Sequence, residues 1–420
     1  MSNEEQPTAT SSFTSPSAPA STPPPSAGGN VRQPPPRHFL LMLVAVAAVS
    51  PLGINLYLPS LPSMSRVLGV DFAAVQFTLS VYLAAVAAGQ LVIGPISDRY
   101  GRRPVLLGGL ALFVLGSVIC MLAPDIGVLA AGRVVQAMGG CAGIALSRAI
   151  VRDLYDRSQA ASMIGYVTMG MAVAPMVAPT IGGLLEAAYG WRAAFAFLAL
   201  FGAATLAVTY LRLHETNPWK DKAPGLAELG RAYRVLVRSR AFWGYALTAA
   251  FTAAAFYSFV AGGSYVIINQ MGRTPVEYGM YFAMVSLGYI MGNFCSGRYA
   301  MRVGSLRLIG LGGLLAVLAA LAMAVLYGAG VVHPLTMFAP MFLLAVGNGL
   351  VLPSCIAGAV SVKPEVAGAA SGLAGSIQIG FGAVVAPLIG ALLQDTAWPL
   401  IAVVGVCAAA CMLTLRTLVR

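Results

Sequence analysis

Few residues of this chain are of types that do chemistry. The three histidines, His38, His214 and His333, each lie near the end of an apolar stretch, and none is grouped with the aspartate and serine that a nucleophilic site requires. The six cysteines lie inside apolar stretches and lack the CxxC spacing of a metal or redox site. We therefore expect no enzymatic activity, no cofactor and no metal.

Arg133 is the most informative charged residue, because it lies inside an apolar stretch. A charged side chain within a membrane span costs about 2.5–3.5 kcal/mol on insertion scales, so it usually faces a cavity or a partner. Alternatively, its long side chain reaches the outer surface, one or two helical turns away. The acidic residues Glu186, Glu277 and Asp395 fall at the ends of apolar stretches or between them, so no carboxylate is expected near the middle of the membrane.

Uncharged polar and aromatic residues within the apolar stretches form a second group. Buried polar groups need partners, and a cavity between helices would supply them. The candidates for substrate binding are Asn55, Tyr57, Tyr82, Gln136, Tyr257, Asn348 and Gln378. Any of them could instead connect one helix to another.

Composition predicts the elements that carry these residues. Of the 420 residues, 58% are hydrophobic and 9% are charged, whereas a soluble domain has about a quarter charged residues. A membrane span needs about 20 apolar residues, and it should be helical because lipid offers no partner for backbone groups. The sequence predicts an all-α membrane protein with twelve transmembrane helices, at 39–60, 75–95, 105–123, 128–150, 160–186, 191–212, 241–267, 276–297, 306–328, 335–359, 367–393 and 398–416.

The positions of lysine and arginine predict the orientation. If the N-terminus is inside, most of these residues fall in the tail and the inside loops, and the outside loops hold only Arg66, Arg192 and Arg273. Basic residues collect on the cytoplasmic side, so we expect both termini in the cytoplasm. The net charge of +11 is then a topology signal and not a nucleic-acid-binding surface.

The chain is predicted to contain two related six-helix bundles. Residues 1–37, rich in Pro and Ser, should form a disordered cytoplasmic tail. The N-terminal bundle is then 38–213, the polar cytoplasmic linker 214–240 and the C-terminal bundle 241–420. The segment 177–185 recurs 208 positions later, at 385–393, with seven of nine residues identical. Two pseudo-symmetric halves with a site between them are a known transporter design.

The sequence from 94 to 103 reads Gly-Pro-Ile-Ser-Asp-Arg-Tyr-Gly-Arg-Arg and lies between the second and third predicted spans. It resembles the loop signature of the major facilitator superfamily, G-x-x-x-D-R-x-G-R-R, at every defined position. Asp98 would cap the eleventh predicted helix, and Arg102 would pair with Asp153. The predicted result is a conformational latch made of Gly94, Asp98, Arg99, Gly101, Arg102, Arg103 and Asp153.

Two further segments resemble motifs of the same superfamily. Residues 129–140 resemble its fourth-helix arginine motif, with alanine for one glycine, and the resemblance implies that Arg133 couples proton movement to substrate binding. The fifth predicted span is similar to the antiporter motif of drug exporters, with alanine for two of its glycines. It keeps Gly165, Pro179, Gly182 and Gly183.

Residues 51–62 and 147–153 resemble the bicyclomycin/chloramphenicol resistance (Bcr/CflA) branch of the superfamily. This resemblance implies the major facilitator fold, a central cavity and alternating access. It also implies secondary active efflux of amphenicol- or bicyclomycin-like drugs across the bacterial inner membrane, by proton antiport. The branch typically has aspartate where this chain has Asn55, and an amide cannot titrate.

Asn55 therefore leaves a second function open, the transport of an organic anion or metabolite, with or without proton coupling. A third reading is a membrane sensor that transports nothing. The expected partners are a small-molecule substrate, protons and the lipid bilayer, with no nucleic acid. We expect the protein to be monomeric.

Overall fold

A computed structural model describes residues 37–155, 157–217, 226–363, 366–394 and 396–419. These residues form helices joined by short connections, because a backbone in lipid must satisfy its own hydrogen bonds. The fourteen α-helices of this described part are α1 (Arg37–Asn55), α2 (Leu61–Leu68), α3 (Phe72–Tyr100), α4 (Arg102–Leu122), α5 (Ile126–Leu154), α6 (Arg157–Tyr189), α7 (Arg192–Arg212), α8 (Leu226–Val237), α9 (Arg240–Ser264), α10 (Pro275–Val303), α11 (Ser305–Gly328), α12 (Leu335–Ser361), α13 (Ala367–Leu392) and α14 (Trp398–Thr414).

Twelve of these helices coincide with the predicted spans, and α2 and α8 are the two short additions. Within the described ranges, ten helices are long and apolar enough to cross a membrane. The other two are α6, with 33 residues, and α10, with 29. The predicted tail lies outside the described residues, apart from Arg37 at the start of α1.

The first predicted span differs from the structure at its end. Helix α1 ends at Asn55, and the chain turns through Leu58–Ser60 into the short helix α2. Proline at positions 59 and 62 explains the break, because proline cannot donate a backbone hydrogen bond within a helix. The Asn55 side-chain amide donates to the Pro51 carbonyl at 2.8 Å, so it satisfies an acceptor in the last turn of α1.

We call α1–α7 the N half and α9–α14 the C half. Helix α3 of the N half packs on α13, and α6 packs on α10. Within each half, glycines let the helices approach closely: a Cβ on Gly116 of α4 would lie 2.6 Å from the Gln136 Cα of α5. Small residues at helix contacts are typical of membrane bundles.

The helices alternate in direction, so their connections lie at two ends. One end, which we call the basic end, holds Gly101, Tyr155, residues 213–217, α8 and Gly304. We call the opposite end the far end. Hydrogen bonds tie the basic end together, as from the Asn217 amide to the Asp98 carbonyl at 2.8 Å. At the far end Arg192 donates to the Ala123 carbonyl at 3.0 Å.

The linker was predicted only as a polar segment, but its second part forms α8. The Tyr233 hydroxyl donates to the Leu91 carbonyl of the N half at 2.9 Å. Leu236 is buried against Phe242 and Ala246 of the C half. Helix α8 therefore bridges the two halves at the basic end.

Candidate functional site: a cavity between the halves

A cavity of about 970 Å³ lies between the two halves. Helices of both halves line it, and α8 contributes at its mouth. Its walls are mostly apolar, and include Pro51, Ile54, Val86, Met171, Phe256, Leu352 and Ile356. A volume of this size suits a drug-sized organic molecule.

The cavity opens toward the basic end. Its lining reaches Asp98, Arg152 and Glu228 there. Toward the far end, contacts between the halves close it: the Thr180 hydroxyl of α6 donates to the Gly279 carbonyl of α10 at 2.9 Å. The Gln76 amide of α3 donates to the Ala261 carbonyl of α9.

Four of the seven candidate binding residues lie on the cavity wall, one from the N half and three from the C half. They are Asn55, Tyr257, Asn348 and Gln378. The Oδ1 atoms of Asn55 and Asn348 are buried and have no hydrogen-bond partner among the described residues. Unpaired buried acceptors are costly, so a bound ligand with a donor group would stabilise this arrangement.

The other three candidates, Tyr57, Tyr82 and Gln136, are fully buried and are not part of this wall. They surround Arg133 instead. The Arg133 guanidinium carbon lies 4.3 Å from the centre of the Tyr57 ring and 4.0 Å from that of Tyr82. These are cation–π distances.

Arg133 itself has no exposed surface. One guanidinium nitrogen donates to the Gly53 carbonyl of α1 at 2.8 Å and to Gln136 Oε1 at 2.5 Å. The alternative of a side chain reaching the outer surface is therefore wrong, because the two tyrosine rings enclose the guanidinium. The cluster connects α5 to the last turn of α1, two residues before Asn55.

The loop signature forms a network at the basic end. Arg102 pairs with Asp153 at 2.9 Å, as predicted, and also with Asp98. Its guanidinium donates to the Ser97 hydroxyl at 2.6 Å. Because the Asp98 carboxylate is held by Arg102, its contact with α13 stays a prediction for a state with the basic end closed.

Of the two other arginines of the signature, Arg99 is exposed and Arg103 is partly buried. Arg103 donates to the Leu213 carbonyl at 2.8 Å and stacks over Tyr210. Arg99 lies 5.7 Å from the Tyr100 ring. Gly94 lines the cavity, and a Cβ there would meet nothing within 4 Å.

The sequence-based reasoning missed Glu215, which follows α7. Its carboxylate accepts from the backbone N–H groups of Arg102 and Arg103 at 2.9 and 3.2 Å, and so caps the start of α4. Partial burial raises the pKa of this carboxyl, but backbone N–H donors outweigh it and leave the pKa below its usual value. An acidic residue at the start of the basic linker was the signal that the sequence offered.

The antiporter-like segment of α6 lies at the contact between the halves. A Cβ on Gly182 would overlap the Leu56 carbonyl, and one on Gly183 would lie 2.5 Å from the Pro275 carbonyl of α10. Gly279 of α10 approaches Pro179 in return. The surroundings of Gly165 lie outside the described residues. The repeat partner of Gly182 is Gly390 of α13, where a Cβ would lie 3.1 Å from the Ala73 Cα of α3.

Acidic groups are sparse around the cavity. Within its described lining the acids are Asp98 and Glu228, both at the mouth. Asp395 lies outside the described residues. The described part of the chain has no group of three His, Cys, Asp or Glu side chains arranged to hold a metal.

Comparison with known proteins identifies this architecture. The profile of the Major Facilitator Superfamily matches residues 43–387. The chain belongs to this superfamily. Its fold is shared with the xylose transporter XylE from E. coli in a partially occluded inward open conformation, with a TM-score of 0.71 at 12% identity over 91% of this chain and 98% of that one.

Curated relatives support the resemblance to the bicyclomycin/chloramphenicol resistance branch. The chain is 32% identical over 367 residues to a chloramphenicol resistance protein of Pseudomonas aeruginosa, covering 84% of each. It is 28% identical over 370 residues to a bicyclomycin resistance protein homolog of Haemophilus influenzae, covering 86% of this chain and 91% of that one. This chain is accordingly a multi-pass transporter of the superfamily's drug-efflux branch.

Proposed function

We propose that this transporter exports small antibacterial compounds, of amphenicol or bicyclomycin type, in exchange for protons. The observation that carries the proposal is the apolar cavity between the halves, open at one end and edged by a few polar groups. The names of the relatives give the substrate class. Apolar walls with few directional groups suit compounds of varied shape.

In this proposal the basic end faces the cytoplasm of a bacterium, both termini are cytoplasmic, and one chain acts as a monomer. A substrate enters the cavity and contacts Asn55, Tyr257, Asn348 and Gln378. The basic end then closes as Asp98 meets α13, and the far end opens as the α6–α10 and α3–α13 contacts separate. Rocking of one half against the other around a fixed site is the general transporter mechanism.

Arg133 would link substrate to proton movement through α1. Its bond to the Gly53 carbonyl joins it to the helix turn that carries Asn55. A ligand that displaces α1 therefore changes the environment of Arg133. Tyr57, Tyr82 and Gln136 act in this proposal by holding Arg133, not by touching the substrate.

Uncoupled transport of an organic anion or metabolite is the second candidate. Asn55 stands where the branch has aspartate, and the described lining has no carboxylate deeper than the mouth. A titrating carboxylate within the membrane is the usual proton carrier.

Proteoliposomes with a pH-sensitive dye inside separate the two candidates. Chloramphenicol added under an imposed pH gradient should cause proton release from the lumen. The release should be lost in Arg133→Ala and kept in Arg66→Ala, an exposed arginine at the far end. Chloramphenicol flux without proton movement would exclude antiport, and no flux at all would exclude drug export.

A further inference from the structure

Arg148 of α5 is a cation in the cavity wall that the export mechanism above does not use. It lies fifteen residues after Arg133, which is about 22 Å along a helix, and it is partly buried. The cavity lining contains both Arg148 and Arg152, one helical turn apart. Like charges at this spacing slightly destabilise a helix, so an anion bound beside them would be stabilising.

The nearby carboxylates are already engaged. Asp98 and Asp153 both pair with Arg102. Glu228 lies 3.8 Å from Arg231 and is largely exposed on α8. Among the described residues, no ion pair involves Arg148 or Arg152, so the cavity between the mouth and Asn55 carries uncompensated positive charge.

The opposite wall offers neutral hydrogen-bonding groups beside this charge. Tyr289 of α10 lines the same cavity as Arg148. Asn293 lies one turn away on α10, and its side-chain amide donates to the Tyr289 carbonyl at 2.8 Å. Arg148 of the N half therefore faces a C-half wall whose described lining residues include no carboxylate.

A guanidinium has five donors in a planar fork that matches a planar oxyanion. The apolar walls deeper in the cavity would take the body of the same molecule. We propose that Arg148 binds an oxyanion group of the substrate, so that the preferred cargo is an amphipathic molecule with an apolar body and one carboxylate. This proposal rests on the transport function above and specifies the substrate class of its second candidate, an organic anion, since amphenicols carry no carboxylate.

Three compounds with the same ring and different charge test it: 1-naphthoate, 1-naphthamide and 1-naphthylmethylammonium. Their dissociation constants are measured on the purified full-length protein by calorimetry. The protein should bind 1-naphthoate about tenfold or more tighter than the ammonium compound, as expected for a charge-assisted bidentate contact. The amide should fall between them.

Substitutions assign this preference to a residue. Arg148→Gln should reduce the preference to within about threefold, and Arg148→Lys should keep part of it because the charge remains. Arg152→Gln, the exposed neighbour, should change it by less than about threefold. If Arg148→Gln does not fold, Tyr289→Glu supplies a carboxylate beside Arg148 and should remove the preference with Arg148 in place.

The outcomes separate this proposal from the export function. An unchanged preference in Arg148→Gln or Tyr289→Glu, or no charge preference in the unaltered protein, would overturn the Arg148 site even if chloramphenicol export is observed. A preference that disappears in these variants supports the site, even if proteoliposomes show no chloramphenicol flux and the drug-export proposal fails.

Discussion

At the scale of single residues, Arg133 shows how a charge is held inside a membrane without a carboxylate. Its guanidinium lies between the Tyr57 and Tyr82 rings and bonds to a backbone carbonyl and an amide oxygen. Ser117 supports this arrangement, because it accepts from the other end of Gln136 at 2.8 Å. The cluster thus replaces one counter-ion with several weaker contacts.

This geometry requires arginine and not only a positive charge. We expect Arg133→Lys to reduce chloramphenicol transport about tenfold or more, because an ammonium lacks the planar face that stacks between the two rings. Tyr82→Phe is the matched control: it keeps the ring and removes only the hydroxyl that bonds to Ser50 at 3.1 Å. It should keep transport within about threefold. Equal losses in the two variants would show that the stacking is not the essential contact.

The sequence singled out Arg133 as a charge inside a span but did not indicate its partners. A charge in an apolar stretch is recognisable from composition alone. Which tyrosines enclose it depends on how α1 and α3 pack on α5, and periodicity does not specify that packing. Arg148 was counted among the basic residues of the inside loops and within the segment 147–153 that resembles the branch, but not as a cavity residue, since its place on a cavity wall depends on both halves.

At the scale of elements, Glu215 couples the loop signature to the linker. The carboxylate accepts from the first backbone N–H groups of α4, which have no partner within the helix. It also accepts from the backbone of Thr216 and Asn217, each at 3.0 Å. The chain after α7 is therefore fixed to the start of α4.

The depressed pKa of Glu215 makes this contact depend on pH. Its contribution to stability is present above the ordinary pKa of 4.5 and is lost as pH falls through the lower pKa of the folded protein. Glu215→Gln should lower Tm by about 1–3 °C at pH 7, with little change between pH 6 and 8. The difference should shrink below about pH 4, where the native carboxyl also protonates.

Thermal unfolding in detergent at several pH values measures this difference. Glu228→Gln is the control, since its exposed ion pair of 3.8 Å should contribute little. A Tm difference for Glu215→Gln that stays constant down to pH 3 would contradict the capping role of the charged form.

Gly101 has a separate structural requirement at the same place. Its φ of +101° favours glycine, and a Cβ there would overlap the Glu215 carboxylate. We expect Gly101→Ala to lower Tm by several degrees, about the effect of a strained backbone position. Gly108→Ala in α4, where a Cβ meets nothing within 4 Å, should leave Tm unchanged or raise it. A comparable loss in both variants would contradict the strain at Gly101.

Helix α8 shows what the sequence could not provide at this scale. Its residues are too polar to indicate a span, and its place depends on Tyr233 reaching a carbonyl of α3 and Leu236 entering the C half. The long spans were predictable because each must satisfy its own backbone within lipid. A short surface helix is stabilised by tertiary contacts instead.

At the scale of the whole molecule, the repeat predicted from sequence falls on α6 and α13, two of the helices through which the halves meet. Gly182 of α6 and Gly390 of α13 occupy equivalent positions of the repeat. Gly390 approaches Ala73 of α3 in the other half, whereas Gly182 approaches the Leu56 carbonyl within the N half and its neighbour Gly183 approaches Pro275 of α10. Pseudo-symmetric halves therefore place their small residues where one half meets the other. What the sequence could not predict was which end of the cavity is open.

The far-end contact between α6 and α10 should control which end of the cavity is open. A Cβ on Gly279 would lie 2.6 Å from the Pro179 carbonyl carbon and from the Thr180 Cα. A valine there would push α6 and α10 apart and disfavour the state with the far end closed. Because the two ends open alternately, Gly279→Val should favour closure of the basic end.

Cysteine labelling measures this shift. Ser371→Cys lies on the cavity wall near the basic end, and it is introduced into a chain whose six native cysteines are replaced. Gly279→Val should slow the reaction of this cysteine with an impermeant maleimide supplied at the basic end by about threefold or more. A change of about RT in the free-energy difference between the two open states is enough for this effect. Gly297→Val on the same helix, where a Cβ meets nothing within 4 Å, should leave the rate unchanged. An unchanged rate in folded Gly279→Val would mean that this contact does not decide which end is open, and that the contacts of α3 with α9 and α13 hold the far end closed.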